Sequence, residues 1–351
     1  RLAATPSAMQ RRQRADKKKI KKKSINQSCI VTMRPPLQGK KINQSCNSTF
    51  DGSIGGNGSV EKTGLGTLRI SDAQTFTGGL DVTGGTFETL SGGTLNNSLA
   101  IHVFEDSTFV AGAVDTVGSV LVDDLGTFTM NANISTQGDF TNNGTLALNA
   151  NLTTLNTDTS SDTDGDFVNN GTTTLTADRT ITTAGGLSGA TSGIINVNNA
   201  GTTLTLVQTG DTTYSGKIQG AGNFVKDGNG NLTLNGSVGN IDLDEGTVVN
   251  DGTLTTTLAN VFAADQDITV NTDGTLHVKT GSQSVDTITN SGIVNLDDDL
   301  TVRVLTNNVS GTFNQDADIT ATDTTSSAIM NGIWNVTGDE NTDTRVLNTV
   351  T

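Results

Sequence analysis

Short runs in which apolar and polar residues alternate recur along most of the chain. GTLALNA at 144–150 places Leu146 and Leu148 on one side of the backbone, and GIVNLDDDL at 292–300 repeats the pattern. A period of two predicts β-strands, here about four to six residues long. Asn, Asp, Gly and Thr separate the runs, and these residues favour turns. No window shows a sustained helical period, so we expect an all-β chain.

Two repeats run through these strands. Residues 49–71 align without a gap with residues 213–235, so that Phe50 matches Tyr214 and Lys62 matches Lys226. The match continues from 78–87 to 239–248 once three residues of the intervening loop are removed, which predicts repeat copies at 49–87 and 213–248. A shorter period of N-x-G or S-G steps recurs mostly every 18 to 27 residues around the following glycines: Gly144, Gly171, Gly193, Gly252, Gly274, Gly292, Gly311 and Gly332.

A coil of about twenty residues with several short strands is typical of a parallel β-helix. A β-sandwich is less suitable because aromatic residues make up only 4% of the chain and two packed sheets need large facing side chains. Prolines do not occur from residue 49 onward, as expected for strands whose amides bond on both sides. Roughly 300 residues at about 20 per coil predict about 15 coils and a rod on the order of 70 Å.

Composition divides the chain near Ser48. Residues 1–50 carry 13 of the 21 basic residues and one acid, whereas the remainder holds 35 of the 36 acids. RRQRADKKKIKKK at 11–23 predicts a disordered basic segment, and without interleaved aromatics it does not favour nucleic-acid binding. We therefore predict a disordered or non-native tail at 1–48 and a β-helical segment at 49–351. INQSC occurs at 25–29 and 42–46 without a recognised counterpart in the body, and Cys29 and Cys46 receive no role.

The repeat resembles a known family. GGNGSVEKTGLGTLRISDAQTFTGGLDVTGGTF at 55–87 and YSGKIQGAGNFVKDGNGNLTLNG at 214–236 look like the passenger-associated repeat of bacterial autotransporters. The first copy follows the family pattern nearly throughout, with Phe50 for its tyrosine and Val60 for a leucine. The second copy departs from the pattern after Gly236. The motifs cover about 60 of the 351 residues.

The resemblance implies a right-handed parallel β-helix (β-solenoid) exported to the surface of Gram-negative bacteria. It implies a secreted or outer-membrane-associated adhesin-like passenger, and a C-terminal outer-membrane β-barrel translocator as partner. This chain lacks such a barrel, so we expect a passenger fragment. A body without cysteine agrees with passage through an oxidising periplasm. The predicted role is a non-catalytic stalk or adhesion scaffold, with glycans or neighbouring cell surfaces as further partners.

A carbohydrate-active β-helix enzyme, a polysaccharide lyase or hydrolase, is the main alternative. Its best candidates are Asp297, Asp298 and Asp299. Consecutive strand residues alternate faces, so only the first and third would share one, and a glycosidase needs two carboxyls at a defined separation beside a sugar-binding cleft. The aromatic residues Trp334 and Tyr214 are far apart in sequence. Solvated acids are the favoured interpretation.

A calcium-dependent repeat is the third alternative. Asp162, Asp164 and Asp166 stand at alternate positions, as in oxygen-rich calcium loops, but Phe167 occupies the position where an EF-hand loop requires glycine. In GGNGSVE at 55–61, Val60 replaces the aspartate of the calcium-binding nonapeptide repeat. An ordinary polar turn is therefore expected at both places.

Other chemistry is not predicted. The two histidines, His102 and His277, lie in no motif, and there is no G-x-S-x-G. GAGNFV at 220–225 begins like a dinucleotide fingerprint but ends in valine, and no helix is predicted after it. The sequence thus predicts no catalytic, cofactor-binding or metal-binding residue.

Overall fold

The computed structural model describes residues 25–27, 40–157, 165–323, 328–336 and 345–347. Within them the chain forms strands and turns only. The strands are, in order, β1 (Ile25–Gln27), β2 (Lys40–Gln44), β3 (Ser48–Phe50), β4 (Gly55–Gly56), β5 (Val60–Thr63), β6 (Thr67–Ile70), β7 (Thr75–Phe76), β8 (Leu80–Val82), β9 (Gly85–Thr89), β10 (Ala100–Val103), β11 (Ser107–Ala111), β12 (Asp115–Val117), β13 (Ser119–Val122), β14 (Thr127–Met130), β15 (Ile134–Thr136), β16 (Phe140–Asn142), β17 (Thr145–Leu148), β18 (Leu152–Thr154), β19 (Asp166–Asn169), β20 (Thr172–Leu175), β21 (Arg179–Thr183), β22 (Gly186–Ser188), β23 (Ile194–Val197), β24 (Thr203–Gln208), β25 (Thr212–Tyr214), β26 (Lys217–Gly220), β27 (Asn223–Asp227), β28 (Asn231–Leu234), β29 (Ile241–Leu243), β30 (Thr247–Thr256), β31 (Asp267–Val278), β32 (Gln283–Asn290), β33 (Ile293–Leu296), β34 (Leu300–Asn307), β35 (Thr312–Gln315), β36 (Ile319–Ala321), β37 (Ala328–Met330), β38 (Ile333–Val336) and β39 (Arg345–Leu347).

The strands stack as a parallel β-solenoid of about 14 turns, which confirms the predicted fold class. Sheet 1 has nine strands in the order β1-β2-β5-β8-β10-β13-β16-β19-β22, and sheet 2 has ten, from β3 to β29. Sheet 3 has eighteen, from β12 to β39, and β4 and β7 form a separate pair. From β10 to β24 each coil gives one strand to each of the three large sheets. Side chains at equivalent positions of successive coils therefore form ladders along the solenoid.

The core lies inside the coils, and burial alternates along the strands as the sequence pattern predicts. On sheet 2 the rings of Phe87, Phe109 and Phe128 stack in register, with centroids 5.6 and 4.8 Å apart. Phe128 also meets Phe140 of sheet 1 edge-on at 5.3 Å. An aromatic ladder thus joins two walls of the solenoid despite the low aromatic content.

Buried asparagines make several of the corners and explain the N-x-G period. Asn142 donates from Nδ2 to Oδ1 of Asn169 at 2.9 Å, and Asn290 donates in the same way to Asn307 at 2.8 Å. Each amide also donates to a backbone carbonyl at the start of a following strand, as from Asn307 to Ile333 at 2.9 Å. The side chain satisfies backbone that the corner leaves unpaired.

The solenoid begins before the predicted boundary near Ser48. β2 pairs in parallel with β5, and Ile42 is buried in the core at 2% exposure. β1 pairs with β2 so that Ile25 faces Ile42, and the two INQ segments lie in register. The repeated INQ is therefore part of the coil stacking, and the charge pattern placed the boundary too late. The rest of the predicted tail, residues 1–24 and 28–39, lies outside the described residues.

One corner is longer than its neighbours. The chain passes from β15 to β16 through residues 137–139, but from β18 to β19 through residues 155–165. Phe140 and Phe167 nevertheless pair in register on sheet 1. Extra chain at a corner does not disturb the ladders.

Candidate functional site

The two sequence copies build the same corner around a buried lysine. Lys62 Nζ donates to the carbonyls of Thr63 (3.2 Å) and Gly64 (2.9 Å) in its own turn and of Gly84 (2.8 Å) in the next coil. The side chains of Lys62 and of its counterpart in the second copy, Lys226, are fully buried.

Lys226 repeats the arrangement. Its Nζ donates to the backbone carbonyls of Asp227 (2.9 Å) and Gly228 (2.7 Å) in its own turn. It also donates to the backbone carbonyl of Asp251 in the next coil at 3.3 Å. We call each such arrangement a lysine corner. A lysine corner ties one coil to the next.

Each lysine corner rests on a glutamine of the preceding coil. Gln44 Nε2 donates to the Cys46 carbonyl at 2.8 Å, and Gln208 Nε2 to the Gly210 carbonyl at 3.0 Å. The repeat therefore starts at 42–44 and 206–208, upstream of the predicted copies. The sequence signal for this earlier start was the pair of motifs I-x-Q at 42–44 and L-x-Q at 206–208, which are separated by the same offset of 164 residues.

A capping residue is duplicated as well. Asn47 Oδ1 accepts the Thr67 amide at 3.0 Å, and Asp211 Oδ1 accepts the Asn231 amide at 2.7 Å. Each corner therefore carries its own side-chain cap for the strand that follows in the next coil.

The lysine corners lie on different faces of the solenoid. Lys62 is on β5 of sheet 1, whereas Lys226 is on β27 of sheet 3. In the downstream match of 78–87 with 239–248, β8 of sheet 1 corresponds to β29 of sheet 2. The change from sheet 1 to sheet 3 seen at the lysine corners is therefore not kept in the downstream match. The motif specifies a corner rather than a position around the coil.

Burial shifts the ionisation of both lysines. Desolvation lowers the pKa of Lys62 to about 8 and that of Lys226 to about 8, with Asp251, Asp227 and Asp211 acting in the opposite direction at Lys226. The carbonyls supply hydrogen bonds but no counter-charge in direct contact. These ammonium groups are held inside the protein at an energetic cost.

Gly228 of the second lysine corner gives a matched test of close packing. It adopts φ +74°, and a Cβ there would lie 2.5 Å from the Gln208 carbonyl oxygen, whereas Gly201 adopts φ +75° with nothing within 4 Å. Both alanine variants incur backbone strain of about 1 kcal/mol, and only Gly228→Ala adds the clash. We expect urea denaturation to show Gly228→Ala losing about 2 kcal/mol or more of unfolding free energy. Equal losses in the two variants would contradict the close approach.

A buried carboxylate occupies another corner. Asp115 accepts the amides of Leu95 at 2.6 Å and Thr116 at 2.9 Å. Burial raises its pKa to about 6, against the lowering effect of these two bonds. Glutamines do the same work elsewhere: Gln74 accepts the Ile54 amide and Gln283 the Val261 amide, without a charge.

Asp115→Asn is expected to remove an unfavourable pH dependence. Between pH 4 and 6 the folded state holds more protons at Asp115 than the unfolded state, so this group lowers stability as the pH rises. The amide can still accept the Leu95 bond. Urea titrations at pH 4, 5, 6 and 7 should show the variant gaining on the wild type with pH, by on the order of 1 kcal/mol at pH 7. A constant difference would show that Asp115 is not the group responsible.

The predicted acidic cluster is divided among separate structural bonds. Asp297 lies 2.7 Å from His277 Nε2, and Asp299 accepts the amide of Asp318 at 3.1 Å. Burial raises the pKa of Asp298, but bonds from Asp299, Gly281 and Ser282 outweigh it and hold the pKa below its usual value. The three carboxylates therefore serve different contacts.

The two aromatic candidates do not form a platform beside this cluster. Tyr214 is fully buried and receives a bond from Asn169 at 3.2 Å. Trp334 packs edge-on against Phe313 and donates to Gln315 at 3.0 Å. Both rings belong to the packing inside the coils.

Both histidines make the same contact with the following coil. His102 Nε2 lies 2.9 Å from Asp123 Oδ2, and His277 Nε2 lies 2.7 Å from Asp297 Oδ2. In each pair the aspartate follows, by two residues, the residue that faces the histidine. Sequence reasoning missed these pairs because coil register, rather than sequence proximity, brings their members together.

The calcium candidates fall in ordinary structure where they are described. Asp162 and Asp164 lie outside the described residues, and the Asp166 amide donates to Asp139 Oδ1 at 3.0 Å. Phe167 and Val60 are core residues. Across the described ranges no group of three or more His, Cys, Asp or Glu side chains is arranged to hold a metal ion.

GAGNFV at 220–225 also lies within the solenoid. It joins the end of β26 to β27, and Phe224 is buried.

An open groove of about 470 Å³ is found on sheet 1, lined by Ser119, Val120, Leu121, Gln137, Gly138, Asp139, Thr141 and Thr157. Among the residues described, no helix is long and apolar enough to cross a membrane.

Comparison of the chain with protein-family models, with curated proteins and with solved structures gave no match. The autotransporter resemblance thus rests on the repeat residues alone, and the absence of catalysis stays a prediction.

Proposed function

We propose that this chain is a surface-exposed or secreted autotransporter passenger fragment that acts as a non-catalytic stalk and adhesion scaffold. The observation that carries the proposal is the stack of about 14 coils, with a sequence that resembles the passenger-associated repeat at each lysine corner. At about 4.8 Å per coil the stack is a rod on the order of 65 Å long. Such a rod holds whatever it carries away from its attachment point.

Contacts between coils supply the stiffness that this role needs. Backbone ladders are reinforced by side chains that reach the next coil, as from Asn133 to the Asn151 amide and from Asp178 to the Thr203 amide. Arg303 adds a bidentate ion pair with Asp286, in which Nε donates to Oδ1 at 2.5 Å and Nη2 donates to Oδ2 at 2.7 Å. Each coil thereby prepares bonding groups for the next, which supports a chain that folds as it emerges from a translocator.

Outward-facing side chains support many weak polar contacts. A column of threonines runs in register along sheet 2 through six successive coils: Thr67, Thr86, Thr108, Thr127, Thr145 and Thr172. A repeated hydroxyl array on an extended surface suits multivalent binding to glycans or neighbouring cell surfaces.

Surface display is the direct test. The chain would be placed between a secretory signal and an outer-membrane translocator in a Gram-negative host, with a matched fusion that lacks the translocator. We expect protease added to intact cells to remove the chain only from the complete fusion. Retention of the complete fusion inside the cell would contradict the passenger role.

Adhesion is measured on the same cells, as retention on immobilised glycans and as cell settling. Display with binding above that of the matched fusion supports the adhesive role. Display of the chain without binding would contradict the adhesive role, and the stalk role alone would then stand.

A further inference from the structure

The hydrogen-bonded ladder of sheet 1 stops in the middle of the solenoid. Its last strand, β22, is followed on the same face by β25. Their only backbone pairing is a single bridge, Gly189 to Tyr214, and the Thr212 hydroxyl also donates to the Leu187 carbonyl at 2.7 Å. At the same level, sheet 2 keeps three residue pairs, from β23 to β26, and sheet 3 keeps five, from β24 to β27. One of three walls is therefore interrupted between the coil that ends at Gln208 and the coil that starts at Thr212.

The construction of the walls changes soon after this level. Before it, short strands separated by turns belong to three distinct sheets. From β30 onward, long strands such as Thr247–Thr256 and Asp267–Val278 bend around corners, and the described strands belong to one continuous sheet. β30 and β31 pair along almost their whole length, with one irregularity between Val249 and Asp251.

A lysine corner stands at the beginning of each of these two parts. The first ties the coil of β5 to Gly84, among the first coils described. The second ties the coil of β27 to Asp251, in the part that follows the interruption. Both corners rest on a glutamine of the coil before, so the interruption coincides with the start of the second repeat copy.

We infer that the solenoid consists of two cooperative units that meet between Gln208 and Thr212, and that each lysine corner clamps the first coils of its own unit. Solenoid stability is a sum of coil and nearest-neighbour terms, so a discontinuity in one wall is a natural limit for cooperative opening. The inference concerns the isolated chain and does not rest on export or adhesion.

The chain carries its own probe for the second unit. Its single tryptophan, Trp334, lies in β38, whereas far-ultraviolet circular dichroism reports strands of both units. Urea unfolding of the wild-type chain is expected to give one transition by Trp334 fluorescence and two by circular dichroism. Superimposable single transitions would overturn the inference.

Reciprocal variants assign the clamps. Lys226→Ala is expected to speed hydrogen exchange about tenfold in residues 217–321 while residues 60–154 keep their protection, and Lys62→Ala should do the reverse. Lys279→Ala, at an exposed position, is the control and should change neither. Equal effects of one clamp variant on both parts would overturn the assignment. If a clamp variant fails to fold, the wild-type unfolding comparison still decides whether two units exist.

Discussion

Phe128→Ala is expected to lose about 3–5 kcal/mol of unfolding free energy, the usual range for a buried phenylalanine. Its ring is fully buried, stacks on Phe109 at 4.8 Å and meets Phe140 edge-on at 5.3 Å. Alanine removes both aromatic contacts and leaves a cavity between sheet 1 and sheet 2. Neighbouring rings are held by their own strands, so the cavity cannot close fully. Urea denaturation followed by circular dichroism measures the loss.

Two controls accompany this variant. Leu125→Ala lies in the adjoining turn at 64% exposure and should change stability by no more than about 0.5 kcal/mol. Phe128→Leu keeps most of the volume and should lose less than the alanine variant, which preserves a readout if the latter does not fold. A loss below about 1 kcal/mol in Phe128→Ala would show that the aromatic ladder does not hold the two sheets together.

Alkaline pH is expected to stabilise the protein through its two buried lysines. Their folded pKa values of about 8 lie below the unfolded value of about 10.4. Between these values the unfolded state holds more protons, so the free energy of unfolding rises with pH. Each lysine contributes on the order of 3 kcal/mol when the whole interval is crossed, and the contribution is lost as the pH falls through 8.

Tyr214 limits the useful range of that experiment. Burial raises its pKa above the ordinary value, so the folded state retains this proton above pH 10 and stability declines there. Urea titrations between pH 7 and 10 should therefore show the rise. In a Lys62→Met, Lys226→Met double variant the rise should disappear, because methionine keeps the volume without a titrating group. A rise of the same size in the double variant would contradict the assignment.

The strands and their stacking could be predicted from sequence because burial follows a period of two and the turns carry Asn and Gly. Leu146 and Leu148 show this directly: both are core residues of one strand. The boundary near Ser48 was wrong because charge was used to place it, whereas Ile42 belongs to the stack by its apolar register. Local composition does not reveal which coil a strand will join.

The lysine corners show what the sequence could not provide. Lys62 and Lys226 were recognised as equivalent, but a lysine two residues before a glycine is typical of a solvated turn. Only the neighbouring coils bury its side chain. The shift of face between the copies is equally hidden, since identical local residues fit any corner. The histidine pairs with Asp123 and Asp297 depend on the coil length of about twenty residues, which fixes contacts that no short motif contains.

The long corner between β18 and β19 has a practical meaning for engineering. Phe140 and Phe167 remain paired although residues 155–165 intervene between the two strands. Chain length and rod length are therefore separate variables: a corner can accept foreign peptide while the rungs on either side keep their spacing. Epitopes grafted at this point would be presented at one defined height along the rod, which makes the solenoid a ruler for antigen display.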